Sequence, residues 1–158
     1  MKNRITIERS ELQQQIDLRN LYMGESAKRN DKDADTIQSS KEDEDLLITF
    51  THTACNALVT AVALRFPSIS YTIDEKEIVI EFETPDGSRS HLLPVLERAT
   101  LDYLVNETRV QWLLLRRPEM AKSSISLRPE LCSNVLFTFA KLYNNKKTRR
   151  RSTNLAGI

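Results

Sequence analysis

The stretch SISYTIDEKEIVIEFETPDG, Ser68 to Gly87, alternates apolar and polar residues with a period of two, and it is the part of the chain that reads this way. Ile69, Tyr71 and Ile73 share one face of a first strand, and Ile78, Ile80 and Phe82 share one face of a second. Asp74, Glu75 and Lys76 make a short polar turn between them, so the stretch predicts a β-hairpin. Pro67 closes the element before it, and Pro85, Asp86 and Gly87 close the hairpin.

Outward from the hairpin, both flanks carry apolar residues at helical spacing. On the amino-terminal side, Leu47, Phe50, Ala54, Leu58, Ala61 and Val62 form a stripe, with Leu46, Cys55 and Val59 as a second apolar edge. This predicts a helix near the middle of the core, capped by Asp43 or Asp45, whose charge complements the positive end of the helix dipole. On the other side, Pro94 suits a first helical turn with Ser90 or its neighbours as cap. Leu101, Leu104, Val105, Thr108, Trp112 and Leu115 then recur up to Arg116, Arg117 and Pro118, where the helix should end. Trp112 is the largest apolar group in the chain and is the expected core anchor. A short connection containing Ile125 and Leu127 leads to Pro129 at the start of a last helix faced by Leu131, Val135, Thr138, Phe139 and Leu142.

The ends differ in character. Glu8 to Met23 predicts a moderately amphipathic helix with Leu12, Ile16, Leu18, Leu21 and Tyr22 as its apolar positions and Gly24 as its stop. Glu25 to Asp45 is polar and acidic and reads as an exposed linker. Beyond Tyr143, Lys146, Lys147, Arg149, Arg150 and Arg151 have no apolar partners at core spacing, which predicts a flexible basic tail. The fold class is therefore mainly α: a bundle of about four helices with one inserted β-hairpin and a basic carboxy-terminal tail. Residues 1–45 form an amino-terminal helix and linker, 46–143 the bundle with the hairpin at 68–87, and 144–158 the tail.

With 158 residues, 40% of them hydrophobic and three glycines, the chain is long enough for one core. Its 23 Lys and Arg nearly balance 22 Asp and Glu, so the whole molecule has no field drawing it to nucleic acid or membrane. Cys55 and Cys132 sit in apolar helical patterns as buried thiols, which points to a reducing compartment. No apolar run approaches a membrane span, and MKNRITIERSE lacks the apolar centre of a signal peptide.

No arrangement of residues announces an active site. Asp31, Asp33, Asp35, Ser39 and Glu42 fall at calcium-loop positions, but Thr36 stands where the turn wants Gly, so a solvated acidic linker is the expectation. His52 and His91 have no Cys, His or carboxylate at metal-ligand spacing, and surface or capping roles fit them better than catalysis. Glu81 and Glu83 share the outer face of a strand, where solvation accounts for them. Neither a phosphate-cradling Gly-rich loop nor a nucleophile signature occurs. The expectation is a protein without enzymatic activity, cofactor or metal.

The order of elements, with the hairpin ISYTIDEKEIVIEFE followed by the helix YLVNETRVQWLLLRRPEMA from Tyr103 to Ala121, resembles the head-to-tail connector, or adaptor, proteins of tailed bacteriophages. The resemblance covers about Leu46 to Tyr143, and the long acidic linker departs from it. It implies a virion structural protein made in the bacterial host cytoplasm, assembled as a homo-oligomeric ring that docks on the portal and meets tail proteins. In that setting Lys146, Lys147, Arg149, Arg150 and Arg151 would contact the portal or DNA, and Tyr71, Ile73, Ile78, Ile80 and Phe82 of the hairpin would lie between subunits. A two-stranded hairpin is marginal alone, and Val79 on its acidic face would be covered by a neighbouring copy closing the ring. The alternative reading is a cytoplasmic nucleic-acid-binding or regulatory protein whose third and fourth helices read DNA and whose basic tail neutralises phosphates.

Overall fold

The structure, a computed structural model, describes residues 1–29, with 24–29 as backbone alone, and 44–143. In order, the elements are β1 (Lys2–Glu8), α1 (Arg9–Arg29), α2 (Glu44–Ala63), β2 (Ser70–Ile73), β3 (Glu77–Glu83), α3 (Leu93–Arg116) and α4 (Lys122–Tyr143). Short 3₁₀ turns at Ser90–Leu92 and Pro118–Met120 precede the last two helices. The fold is mainly α, four helices with a small three-stranded antiparallel sheet.

The hairpin forms, but it is neither free nor two-stranded. The sheet order is β1-β3-β2, so the second hairpin strand is central, and Ile5 and Ile7 of β1 lie opposite Ile80 and Ile78. The amino-terminal segment is thus built into the core, where the sequence reading had an appended helix and linker. Ile5, Ile7, Ile78, Ile80 and Phe82 all face the helices and are buried. Hydrogen bonds also hold the turn down. The Arg9 guanidinium donates to Asp74 O at 2.8 Å and the Arg9 N–H donates to Lys76 O at 2.8 Å, joining the start of α1 to the hairpin tip. Asp74 Oδ1 accepts from the N–H groups of Lys76 and Glu77 at 2.7 and 2.8 Å, and these bonds hold its carboxyl below the usual carboxylate range.

The central helix is α3, where the sequence reading put α2. From Thr100 to Leu113 all but Asp102 and Gln111 are buried, because α1, α2, α4 and the sheet surround it. Pro94 occupies the first turn as expected, but Ser90 lies within the 3₁₀ turn and makes no side-chain cap. α2 packs one side, Leu47, Thr51, Ala54, Cys55, Leu58 and Val62, and exposes the other. Contrary to the expectation from sequence, α2 is long and apolar enough to cross a membrane by length and composition.

Two helix boundaries also differ. α1 runs through Gly24 to Arg29, and α4 begins at Lys122, so Ile125 and Leu127 are helical and Pro129 lies inside the helix. Pro129 has no N–H for the Ile125 carbonyl, a loss the helix tolerates in its exposed second turn. At the far end of α4, the Leu142 carbonyl accepts from the Arg89 N–H at 3.1 Å. An aromatic group closes the bundle there: Phe66 lies 4.3 Å from Tyr143 and 5.8 Å from Phe139, and Phe82 meets Phe139 edge-on at 5.0 Å.

Candidate functional site

Because the middle of α3 is enclosed, several of its polar residues are buried inside the protein and favour partners there. Arg109 Nε donates to Asn20 Oδ1 on α1 at 3.1 Å, and its Nη1 donates to Ser124 Oγ on α4 at 3.4 Å. Asn106 Nδ2 donates to the Ser124 carbonyl at 2.9 Å. Among the described residues no carboxylate pairs with Arg109, and burial, with the like charge of Arg19, pushes its pKa down to about 10. On the α4 side, Arg128 pairs with the buried carboxylate of Glu107, while Asp102 holds Arg19 at 3.4 Å and Arg98 at 3.6 Å. This seam ties three helices together, and Asn20 at its α1 end also lines a groove with Gln13, Asp17, Leu18 and Leu21.

Cys55 is buried as expected, whereas Cys132 is only half-buried. Burial pushes Cys55 up to about 12 and raises Cys132, so both are protonated at neutral pH and poor nucleophiles. Burial likewise raises Tyr103, followed by the charge of Glu107. His52 and His91 are exposed, and no group of three potential metal ligands occurs among the described residues. The acidic-linker residues at calcium-loop positions, Asp31, Asp33, Asp35, Ser39 and Glu42, lie outside the described residues, as do Lys146, Lys147, Arg149, Arg150 and Arg151.

Three of the five hairpin residues expected between subunits are enclosed in the subunit itself. Ile78, Ile80 and Phe82 are buried within the subunit's own core. Tyr71 and Ile73 are half-buried on the same side, and the Tyr71 hydroxyl donates to the His52 carbonyl on α2 at 3.4 Å. Val79 lies between Thr6 of β1 and Thr72 of β2 on the outer face of the sheet and is half-buried. Trp112 is buried, though in a smaller cluster with Leu47, Leu113 and Ala121, against which Met23, Phe50 and Met120 pack.

Exposed apolar side chains occur on several elements, among them Leu114 and Leu115 on α3, Leu127 and Phe137 on α4 and Leu64 after α2, and three of them are grouped on α1. Leu12, Ile16 and Asn20 face the core, while Leu18, Leu21 and Tyr22 turn outward with 42%, 43% and 73% of their surface exposed. Their spacing of three and four residues puts them in one patch. The sequence reading counted them with Leu12 and Ile16 as the apolar positions of this helix; the broken spacing between Ile16 and Leu18 was the signal that they face elsewhere. Between α1 and α2 a groove of about 340 Å³ runs under the hairpin turn, lined by Leu12, Ile16, Leu47 and Thr51 with Glu44 and Glu75 at its rim. No family model, curated protein or solved structure matches the chain.

Proposed function

We propose that this chain is a non-enzymatic structural subunit of a bacteriophage virion, a head-to-tail connector or adaptor whose copies form a ring that docks on the portal. The observation that carries the assembly part of this reading is the outward patch of Leu18, Leu21 and Tyr22 on α1, on the side of the helix away from the core. An apolar helical patch at the surface is what a subunit buries against its neighbour. The groups shifted furthest support the same choice over an enzyme: Cys55, Tyr103 and Arg109 are enclosed in packing, and none lines the α1–α2 groove. The connector part rests on the resemblance in element order.

In this reading the contacts between subunits run through α1, while Ile78, Ile80 and Phe82 belong to the subunit's own core. The basic tail, Lys146, Lys147, Arg149, Arg150 and Arg151, meets the portal or the packaged DNA. The alternative of a DNA reader on the third and fourth helices finds no face on the middle of α3, where Thr100 to Leu113 are buried apart from Asp102 and Gln111, and would have to use the exposed side of α4.

The test is Leu18→Glu with Tyr22→Glu. Far-ultraviolet circular dichroism should keep the helical signal, and sedimentation velocity and incorporation into particles should show assembly lost. A folded double variant that assembles normally would remove the α1 patch from the interface.

A further inference from the structure

The first strand has an open edge whose pattern of charges is complementary to itself. Its phase on β3 is fixed at both ends: the Thr84 N–H donates to Met1 O at 2.9 Å and the Arg9 N–H donates to Lys76 O at 2.8 Å. With the register Ile5 opposite Ile80, the odd-numbered residues of β1 direct their N–H and C=O groups to β3. Lys2, Arg4, Thr6 and Glu8 therefore direct theirs to the other side, where no backbone partner occurs among the described residues. The same four side chains lie on the face of the sheet away from the helices.

An open edge of seven residues without Pro or bulge is a template for pairing, and proteins usually blunt such edges with charges of one sign. Here the signs are opposed along the strand, Lys2 and Arg4 toward one end and Glu8 at the other. Placed antiparallel on itself about Ile5, the strand sets Lys2 against Glu8 twice and Arg4 against Thr6 twice, so no like charges meet. That register also pairs outward-directed residues with outward-directed residues, as an antiparallel ladder requires, and would form about eight backbone hydrogen bonds. A register shifted by two residues retains opposite charges, now Arg4 against Glu8, but shortens the ladder.

We propose that the β1 edge pairs antiparallel with β1 of a second copy, joining the two sheets into one of six strands. The contact is isologous and closes at two copies. It is distinct from the α1 patch, and it stands or falls independently of the connector reading.

The experiment uses the full chain in sedimentation equilibrium. Thr6→Pro removes an N–H directed to the open edge and leaves the ladder to β3 complete, so circular dichroism should be unchanged. Its dimer dissociation constant should rise by at least about thirtyfold, from one hydrogen bond lost on each strand. Lys2→Glu and Glu8→Lys should each weaken the dimer, and the variant carrying both should restore it at low salt. A wild-type chain with no two-chain species across the concentration range would overturn the proposal. So would a dimer that Thr6→Pro leaves unchanged, or a double charge reversal weaker than either single one.

Discussion

Arg109 on α3 donates from Nε to Asn20 Oδ1 on α1 at 3.1 Å, and both side chains are buried. The same guanidinium reaches Ser124 Oγ on α4 at 3.4 Å, so one side chain sets the spacing of three helices with neutral partners alone. A buried cation held this way is costly to disturb, since each group it leaves behind is an unpaired polar atom in the core.

Arg109→Ala should therefore destabilise the protein by about 3 kcal/mol and Asn20→Ala by about 1 kcal/mol, the first through both a cavity and orphaned partners. In a double-mutant cycle measured by urea unfolding, the pair should couple by about 1 kcal/mol. Additive effects would show that the 3.1 Å contact contributes nothing to stability.

Stability should fall as the solution becomes alkaline. Cys55 is raised by burial from 9.0 to about 12, so between those values the unfolded chain has released a proton that the folded chain retains. The unfolded state then binds fewer protons and is favoured as pH rises; the loss reaches about 1 kcal/mol by pH 10. Cys55→Ala should remove most of that slope between pH 8 and 10, leaving smaller parts of the same sign from Cys132 and, toward pH 10, from Tyr103. Equal slopes in the two proteins would place the titration elsewhere.

Trp112→Ala should destabilise by about 3 to 5 kcal/mol. The ring is buried between α2 and the turn before α4, against Leu47, Leu113 and Ala121. Because this cluster is separate from the one under the sheet, Ile80→Ala should add its own cost independently. Denaturant midpoints for the two single variants and the double one check both statements.

Tyr71→Ser with Ile73→Ser should lower the melting temperature and stability by about 2 kcal/mol, because both side chains pack on the core side of β2. Thr72→Ser, on the opposite face, should change stability by less than about 0.5 kcal/mol. If the first variant unfolds at the wild-type temperature, the hairpin is not part of the subunit's core.

Local pattern made much of this fold legible. The period-two alternation from Ile69 to Phe82 became β2 and β3, the spacing of Leu101, Leu104, Val105 and Trp112 became the inner helix, and Pro94 marked its start. Each signal spans a few residues and reports which side of an element is apolar. β1 carried the same signal in Arg4, Ile5, Thr6, Ile7 and Glu8, but two alternating isoleucines are too few to stand out, and their partners lie more than 70 residues away. The candidate site was less legible. The broken spacing at Leu18 hinted at an outward patch, yet exposure depends on which other elements cover a face.

By itself the sequence determined the hairpin with its turn and most of the inward faces of α2, α3 and α4, because these follow from neighbours along the chain. Only the tertiary structure decided that β3 is the central strand, that α3 rather than α2 is enclosed, and that Arg109 is satisfied by Asn20 and Ser124. Those outcomes depend on contacts between residues far apart in sequence. Which pairings form is settled by the joint packing of all the elements, and no single stretch contains that information.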